Sequence, residues 1–278
     1  MIYIILVLIL QFLIIYFRIH LFLSPKERLI ILMYHKIGKH TQDSLTVEIN
    51  ALEKQFEYLS KKKYLPIFFN EIHASTKKKI IISFDDGYRN NYEYLPKLLK
   101  KHSLKAVIFI PTFFIENGYN DNTMMSFDEI RSLPSDLIEI GLHSHFHRNF
   151  RTLSPQQADA DIKTNIEILK KNQINYSKVF AYPYGKHIRE KKSKKEFISM
   201  LKQNDIHFAV RIGNKINHIY NTNPFELCRI DIKGSDSMLK FKLKLLLGKL
   251  KFMFLLINSS TYIELLFNNI IKTQELIH

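Results

Sequence analysis

Two short stretches carry the residues best suited to chemistry. Ser83-Phe-Asp-Asp-Gly87 sets two carboxylates side by side, and His143-Ser-His-Phe-His147 gathers three imidazoles within five residues. Adjacent residues leaving a strand point to different sides, so one carboxylate can take a metal while its neighbour faces a substrate. Gly87 lets the backbone bend at that point. The plain alternatives are an acidic turn in which Asp85 or Asp86 caps a helix, and a solvated histidine-rich loop. Three histidines at one strand end are unfavourable unless they are used, and histidine is the commonest metal-binding side chain. One carboxylate with two imidazoles forms a ligand set that leaves a position open for a catalytic water. Spacing alone does not choose the pair among His143, His145 and His147. Cys228 is the only cysteine, which excludes a disulfide framework and a cysteine zinc site.

These residues need elements to hold them. Short continuous apolar runs, of the kind that fill buried parallel strands, recur at Arg28 to Met33, Ile80 to Ser83, Ala106 to Ile110, Leu137 to Leu142, Val179 to Ala181 and His207 to Val210. Each leads into a polar residue: His35, Asp85, Thr112, His143, Tyr182 or Arg211. Amphipathic stretches suited to helices separate them, at Asn50 to Lys62, Tyr92 to His102, Ser126 to Leu133, Pro155 to Asn172 and Lys192 to Asn204. The alternation predicts an α/β fold with a parallel sheet. Its chemistry-bearing residues stand where strands stop, as active sites do in such folds.

A chain of 278 residues with 46% hydrophobic side chains can bury one large core, which excludes a disordered or fibrous protein. The net charge of +15 suits a polyanion or an anionic membrane. The lysine clusters are scattered between elements and match no nucleic-acid motif, so no nucleic-acid partner is expected. Ile2 to Phe17 is apolar apart from Gln11. With no basic n-region and no small-residue cleavage site, residues 1–24 are expected to form a membrane anchor or uncleaved signal, a single N-terminal pass at the cell membrane. Arg18, Lys26 and Arg28 favour a cytoplasmic catalytic portion by the positive-inside rule, although the chain is basic throughout. Residues 25–235 are expected to be the catalytic domain. Residues 236–278 read as a basic, apolar helical extension that either meets a membrane or packs on the barrel.

The two chemical stretches, in this order, resemble the polysaccharide deacetylase family, that is carbohydrate esterase family 4 with the chitooligosaccharide deacetylase (NodB) homology domain. The resemblance runs from about Leu29 to Asp231. It implies a distorted (β/α) barrel and a hydrolase that removes acetyl groups from an N-acetylated glycan or glycolipid. It also implies a divalent metal, usually zinc, held by Asp86, His143 and His147, with Asp85 as general base, while His145 falls at a variable position and Ser144 steadies the loop. Phe180-Ala-Tyr-Pro-Tyr-Gly185 resembles the third motif, so the N–H of Tyr184 would be the oxyanion donor.

Two expected residues are missing. Phe180 stands where the family usually has an arginine, and no C-terminal Leu-x-His is visible, His278 lying at the end of the chain. Arg229 is similar to an arginine that replaces the missing one in a branch of the family. Met33-Tyr-His35 resembles the N-terminal element of the poly-N-acetylglucosamine deacetylase-like branch, which implies His35 as general acid. The rival readings are another amide or ester hydrolase on the same scaffold, or an inactive, membrane-tethered glycan-binding module. Neither the exact glycan nor the oligomeric state follows from the sequence.

Overall fold

The computed structural model describes residues 2–16, 27–40, 43–73, 78–119 and 123–248. In chain order its strands are β1 (Arg28–Tyr34), β2 (Lys36–Gly38), β3 (Thr46–Glu48), β4 (Leu65–Pro66), β5 (Lys79–Asp85), β6 (Ala106–Ile110), β7 (Ile138–Leu142), β8 (Val179–Ala181), β9 (Phe208–Ile212), β10 (Asn217–His218) and β11 (Leu227–Asp231). Its helices are α1 (Ile2–Tyr16), α2 (Ile49–Lys61), α3 (Arg89–His102), α4 (Thr112–Asn117), α5 (Phe127–Arg131), α6 (Pro155–Lys171), α7 (Lys191–Gln203) and α8 (Met238–Leu247).

Seven strands, β1, β5, β6, β7, β8, β9 and β11, pair in parallel in that order, and β11 returns to β1 to close a barrel. β10 adds antiparallel to the start of β1, and β4 adds parallel to the start of β5. Side chains alternate across a strand, so closure sorts them into two layers. Leu29, Ile31, Ile81, Val107, Phe109, Val179, Ala181, Val210 and Leu227 fill the interior. Ile30, Leu32, Ile80, Ile82, Ile108, Ile140, Phe180 and Ile230 pack outward under the helices. Two-sided burial is why these strands read as unbroken apolar runs and not as alternating ones.

The end of the barrel where strands begin is closed by the segment after β4. There Phe68, Phe69 and Ile72 join the interior cluster, and the Lys79 ammonium donates to the Ile72 carbonyl at 2.9 Å. Helix starts follow the local chemistry: Ser126 and Ser154 each form a capping box, with Glu129 and Gln157 three residues on. Pro155 occupies the first turn of α6, where a missing N–H costs nothing.

The expected membrane anchor is described only in part. Its described portion, α1, covers 15 residues, Ile2–Tyr16. At 1.5 Å per residue it is about 22 Å long, short of the ~30 Å of a hydrocarbon core. Among the described residues no helix is long and apolar enough to cross a membrane; residues 17–24 of the expected anchor lie outside them. α1 is apolar on every face, with Ile2, Leu6, Leu8 and Phe12 all exposed.

For the C-terminal extension, α8 packs on the barrel's helix layer through buried Phe241, whose ring meets Tyr58 edge-on at 6.3 Å. Residues 249–278, His278 included, lie outside the described residues.

Candidate metal centre and active site

The polar residues singled out by the sequence collect at the opposite end, where the strands stop. Alternation sets them up: Ser83 and Asp85 continue the interior face of Ile81 on β5, and Arg229 continues that of Leu227 on β11. His143 follows Gly141 on the interior face of β7. A Cβ on Gly141 would stand 2.5 Å from the Phe109 ring, so only glycine lets that ring lie beneath His143.

Asp86, His143 and His147 are all buried, and they offer one donor atom each within 4.8 Å of one another. Asp86 Oδ1 lies 3.5 Å from His143 Nε2 and 3.3 Å from His147 Nε2. Two ligands about 2.1 Å from a tetrahedral ion stand about 3.4 Å apart, so the donor atoms fit such an ion between them. Asp86 Oδ1 is buried with no hydrogen-bond partner of its own, as a ligand atom would be. The His143 Nδ1 sits 2.8 Å from the Ala181 carbonyl, so Nδ1 carries a hydrogen donated to that carbonyl, and Nε2 is the ring nitrogen that faces Asp86.

Backbone strain concentrates here. Asp86, Ser144, His147 and Tyr184 all have positive φ, at 76°, 64°, 53° and 56°. Such conformations cost of order 1–2 kcal/mol each in non-glycine residues and persist where surrounding contacts hold them. The Ser144 hydroxyl supplies one such contact, accepting the His147 N–H at 3.0 Å.

Asp85 does not share the ligand role of its neighbour. Arg229 grips it with both arms, Nη1 to Oδ1 at 2.6 Å and Nη2 to Oδ2 at 2.7 Å, and also reaches Ser83 Oγ at 3.3 Å. Both side chains are almost wholly buried. Burial by itself would raise the Asp85 pKa, but the guanidinium, with His143, holds it below the usual carboxylate value. Asp86 is likewise held low against its burial, by His143, His35 and His147. Burial, with His143 alongside, pushes His147 down to about 4, so its imidazole is neutral near pH 7.

The remaining expected residues fall close by. His35 follows β1 and interacts electrostatically with both Asp85 and Asp86; its Nδ1 is buried without a hydrogen-bond partner. The Tyr184 ring lies 4.7 Å from that of His147 and remains half exposed at the mouth. Phe180 points away from the site into the helix layer, its ring 5.1 Å from that of Phe150 and tilted by 47°.

Residues 73–209 match the polysaccharide deacetylase family. A curated relative, the putative polysaccharide deacetylase YxkH of Bacillus subtilis (strain 168), is 25% identical over 170 residues, 59% of this chain and 59% of its own length. Among solved structures, the Streptococcus pyogenes deacetylase PplD superposes with a TM-score of 0.67 at 19% identity, over 78% of this chain and 98% of that one. IcaB from Ammonifex degensii gives 0.67 at 18% identity, over 79% and 97%. At these identities the structural likeness speaks for the fold. In sequence the chain is thus similar to the polysaccharide deacetylase family over residues 73–209, and it spans 59% of the length of the curated relative it matches.

Sequence reasoning missed the residues that hold the family's second motif in place. Asp161, buried on α6, accepts the backbone N–H groups of His145 and Phe146 at 2.5 and 3.1 Å. His145 Nδ1 meets Thr112 Oγ1 at 2.9 Å, and Asn165 Nδ2 reaches both that hydroxyl and the Ile110 carbonyl. His145 is therefore a bracket for the loop, consistent with its exclusion from the ligand set. The one available signal was two polar residues, Asp161 and Asn165, spaced by four on the buried face of α6.

Proposed function

We propose that this chain is a metal-dependent deacetylase that hydrolyses the N-acetyl group of N-acetylhexosamine units in a glycan. The observation that carries the reading is the division of labour between adjacent carboxylates: Asp86 faces two histidine nitrogens at metal-ligand spacing, while Asp85 is held ionised by Arg229.

Asp86, His143 and His147 would hold the ion, in our reading Zn2+, which supplies polarisation of the acetyl carbonyl and acidification of a water. Asp85 accepts a proton from the attacking water. Arg229 orients that carboxylate and keeps it charged, the task of the arginine that Phe180 replaces. The backbone N–H of Tyr184 donates to the oxygen on which negative charge develops, where a fixed dipole acts without reorganising. His35 hands a proton to the departing amine as general acid.

Placement in the Met-Tyr-His branch belongs to the same proposal. It is supported by Met33-Tyr34-His35 ending β1 beside both carboxylates, with the Tyr34 hydroxyl donating to Gln55 Oε1 at 2.8 Å in the core. The substrate class that fits is a polysaccharide or a lipid-linked glycan, and we place the enzyme at a membrane surface without assigning its side.

The test is acetate release by the full chain from N-acetylglucosamine oligomers and from a lipid-linked N-acetylated sugar. We expect release that stops on chelation, returns with divalent metal and is absent in Asp85→Asn with metal content unchanged. Release that survives both chelation and Asp85→Asn would overturn the reading.

A further inference from the structure

The segments of this chain that the site does not use join the barrel at one end. β1 begins at Arg28, so the chain that precedes it, α1 included, enters the barrel where the strands start, at the floor. α8 finishes beside the same point, because the Arg28 guanidinium donates to the carbonyls of Leu245 and, at 3.1 Å, Leu246. Residues 249–278 therefore leave from the floor as well. Their sequence begins Lys249-Leu-Lys251 and continues through the apolar Phe252-Met-Phe-Leu-Leu-Ile257. Both apolar segments outside the barrel thus depart from its floor, with the metal site at the far end.

The floor also carries exposed lysines. In a parallel barrel the helices end at the floor, and the ends of α2, α3 and α6 place exposed Lys63, Lys100, Lys170 and Lys171 around it. Lys61 and Lys101 add to the ring but are partly neutralised by Glu57 and Glu53, at 2.6 and 2.5 Å. A helix dipole favours lysine in a last turn without any partner. α7 moreover starts with Lys191 and Lys192 at the opposite end. Charge alone therefore does not select the floor; the attachment of both apolar segments does.

We propose that the floor of the barrel is a docking face for an anionic lipid bilayer, against which its lysines rest while the metal site is turned away. The inference stands apart from the catalytic reading, since it uses none of the site residues. It also does not require α1 to cross the bilayer: an apolar helix too short to span adds buried area at the interface, and lysines add attraction to acidic headgroups. Each lysine near such a surface multiplies partitioning about fivefold at low salt.

The experiment is vesicle co-flotation of the full chain with phosphatidylcholine alone or mixed with phosphatidylglycerol, at low and high salt. The joint variant Lys63→Gln, Lys100→Gln, Lys170→Gln and Lys171→Gln is expected to lose at least tenfold in partitioning on the anionic vesicles. A mouth-side variant, Lys191→Gln, Lys192→Gln and Lys195→Gln, is expected to lose less than twofold. Because Cys228 is buried, a fluorophore can be placed selectively on Lys170→Cys or on Lys192→Cys in an otherwise unaltered chain. A bilayer-embedded quencher should quench the first and spare the second. Equal partitioning into both vesicle types, equal losses in the two charge variants, or quenching at 192 as strong as at 170 would each overturn the proposal.

Discussion

The two ends of the barrel interior solve opposite problems with the same alternation of strand residues. At the floor, Phe68, Phe69 and Ile72 close the interior with apolar side chains. At the mouth, the same inward positions carry Ser83, Asp85, His143 and Arg229, all buried, and the backbone around them adopts positive φ at Asp86, Ser144 and His147. The floor gains stability by removing apolar surface from water. The mouth spends some of it, since buried charges are stabilising only when fully paired. The difference separates a part of the fold that any well-packed apolar set could supply from a part held by specific polar pairs such as Asp85 with Arg229.

The sharpest way to break this comparison is to unpair the mouth. Asp85→Asn should lower acetate release by at least about a thousandfold if the carboxylate is the base, while metal content, measured by elemental analysis, stays the same. His143→Ala should lose metal and activity together.

Next in size, Arg229→Met should destabilise by about 3–5 kcal/mol because it strands a buried carboxylate, whereas the double change Arg229→Met with Asp85→Leu should recover much of that loss in a denaturant titration. Phe69→Ala at the floor should cost a similar ~3–5 kcal/mol, yet leave metal affinity per folded molecule unchanged. A metal affinity that fell with the floor would show that the two ends are not independent.

A smaller effect is expected at the bracket. Asp161→Ala leaves two backbone N–H groups without an acceptor and should cost about 1–3 kcal/mol, with a weaker metal affinity that Asp161→Asn partly restores. A further effect is in pH. Burial lowers His147 to about 4 in the folded chain, against about 6.5 when unfolded. Its contribution is therefore complete above pH 6.5 and is lost as pH falls toward 4, because the unfolded state takes up the proton first. The melting temperature of the metal-free chain should drop across that window, and His147→Gln should flatten the drop.

Much of this was legible in advance because its causes are local. The runs at Ala106 to Ile110 and Val179 to Ala181 are the observed strands residue for residue, since a strand buried on both faces has nowhere to put a polar side chain. The helices at Asn50 to Lys62 and Pro155 to Asn172 were displaced by a single residue at one or both ends, where caps fix the boundary. The short pieces β2, β3, β4 and β10 left no such trace, because two or three residues cannot show a period and their pairing is decided by what lies alongside.

The sequence by itself determined which residue types stood at the strand ends, that one carboxylate and two of three histidines could form a ligand set, and that no cysteine chemistry competed. It left open which histidines, and by spacing it could not relate Asp85 to Arg229, 144 residues apart. Those choices belong to barrel closure. Only when β11 returns to lie beside β1, itself paired with β5, do two inward positions on distant strands meet, and only the left-handed turns at Asp86 and His147 aim their side chains at one point while His145 is drawn toward Thr112. Residue chemistry is carried by each residue alone, whereas a site is a set of distances, and distances across a closed sheet are fixed by every strand in the ring.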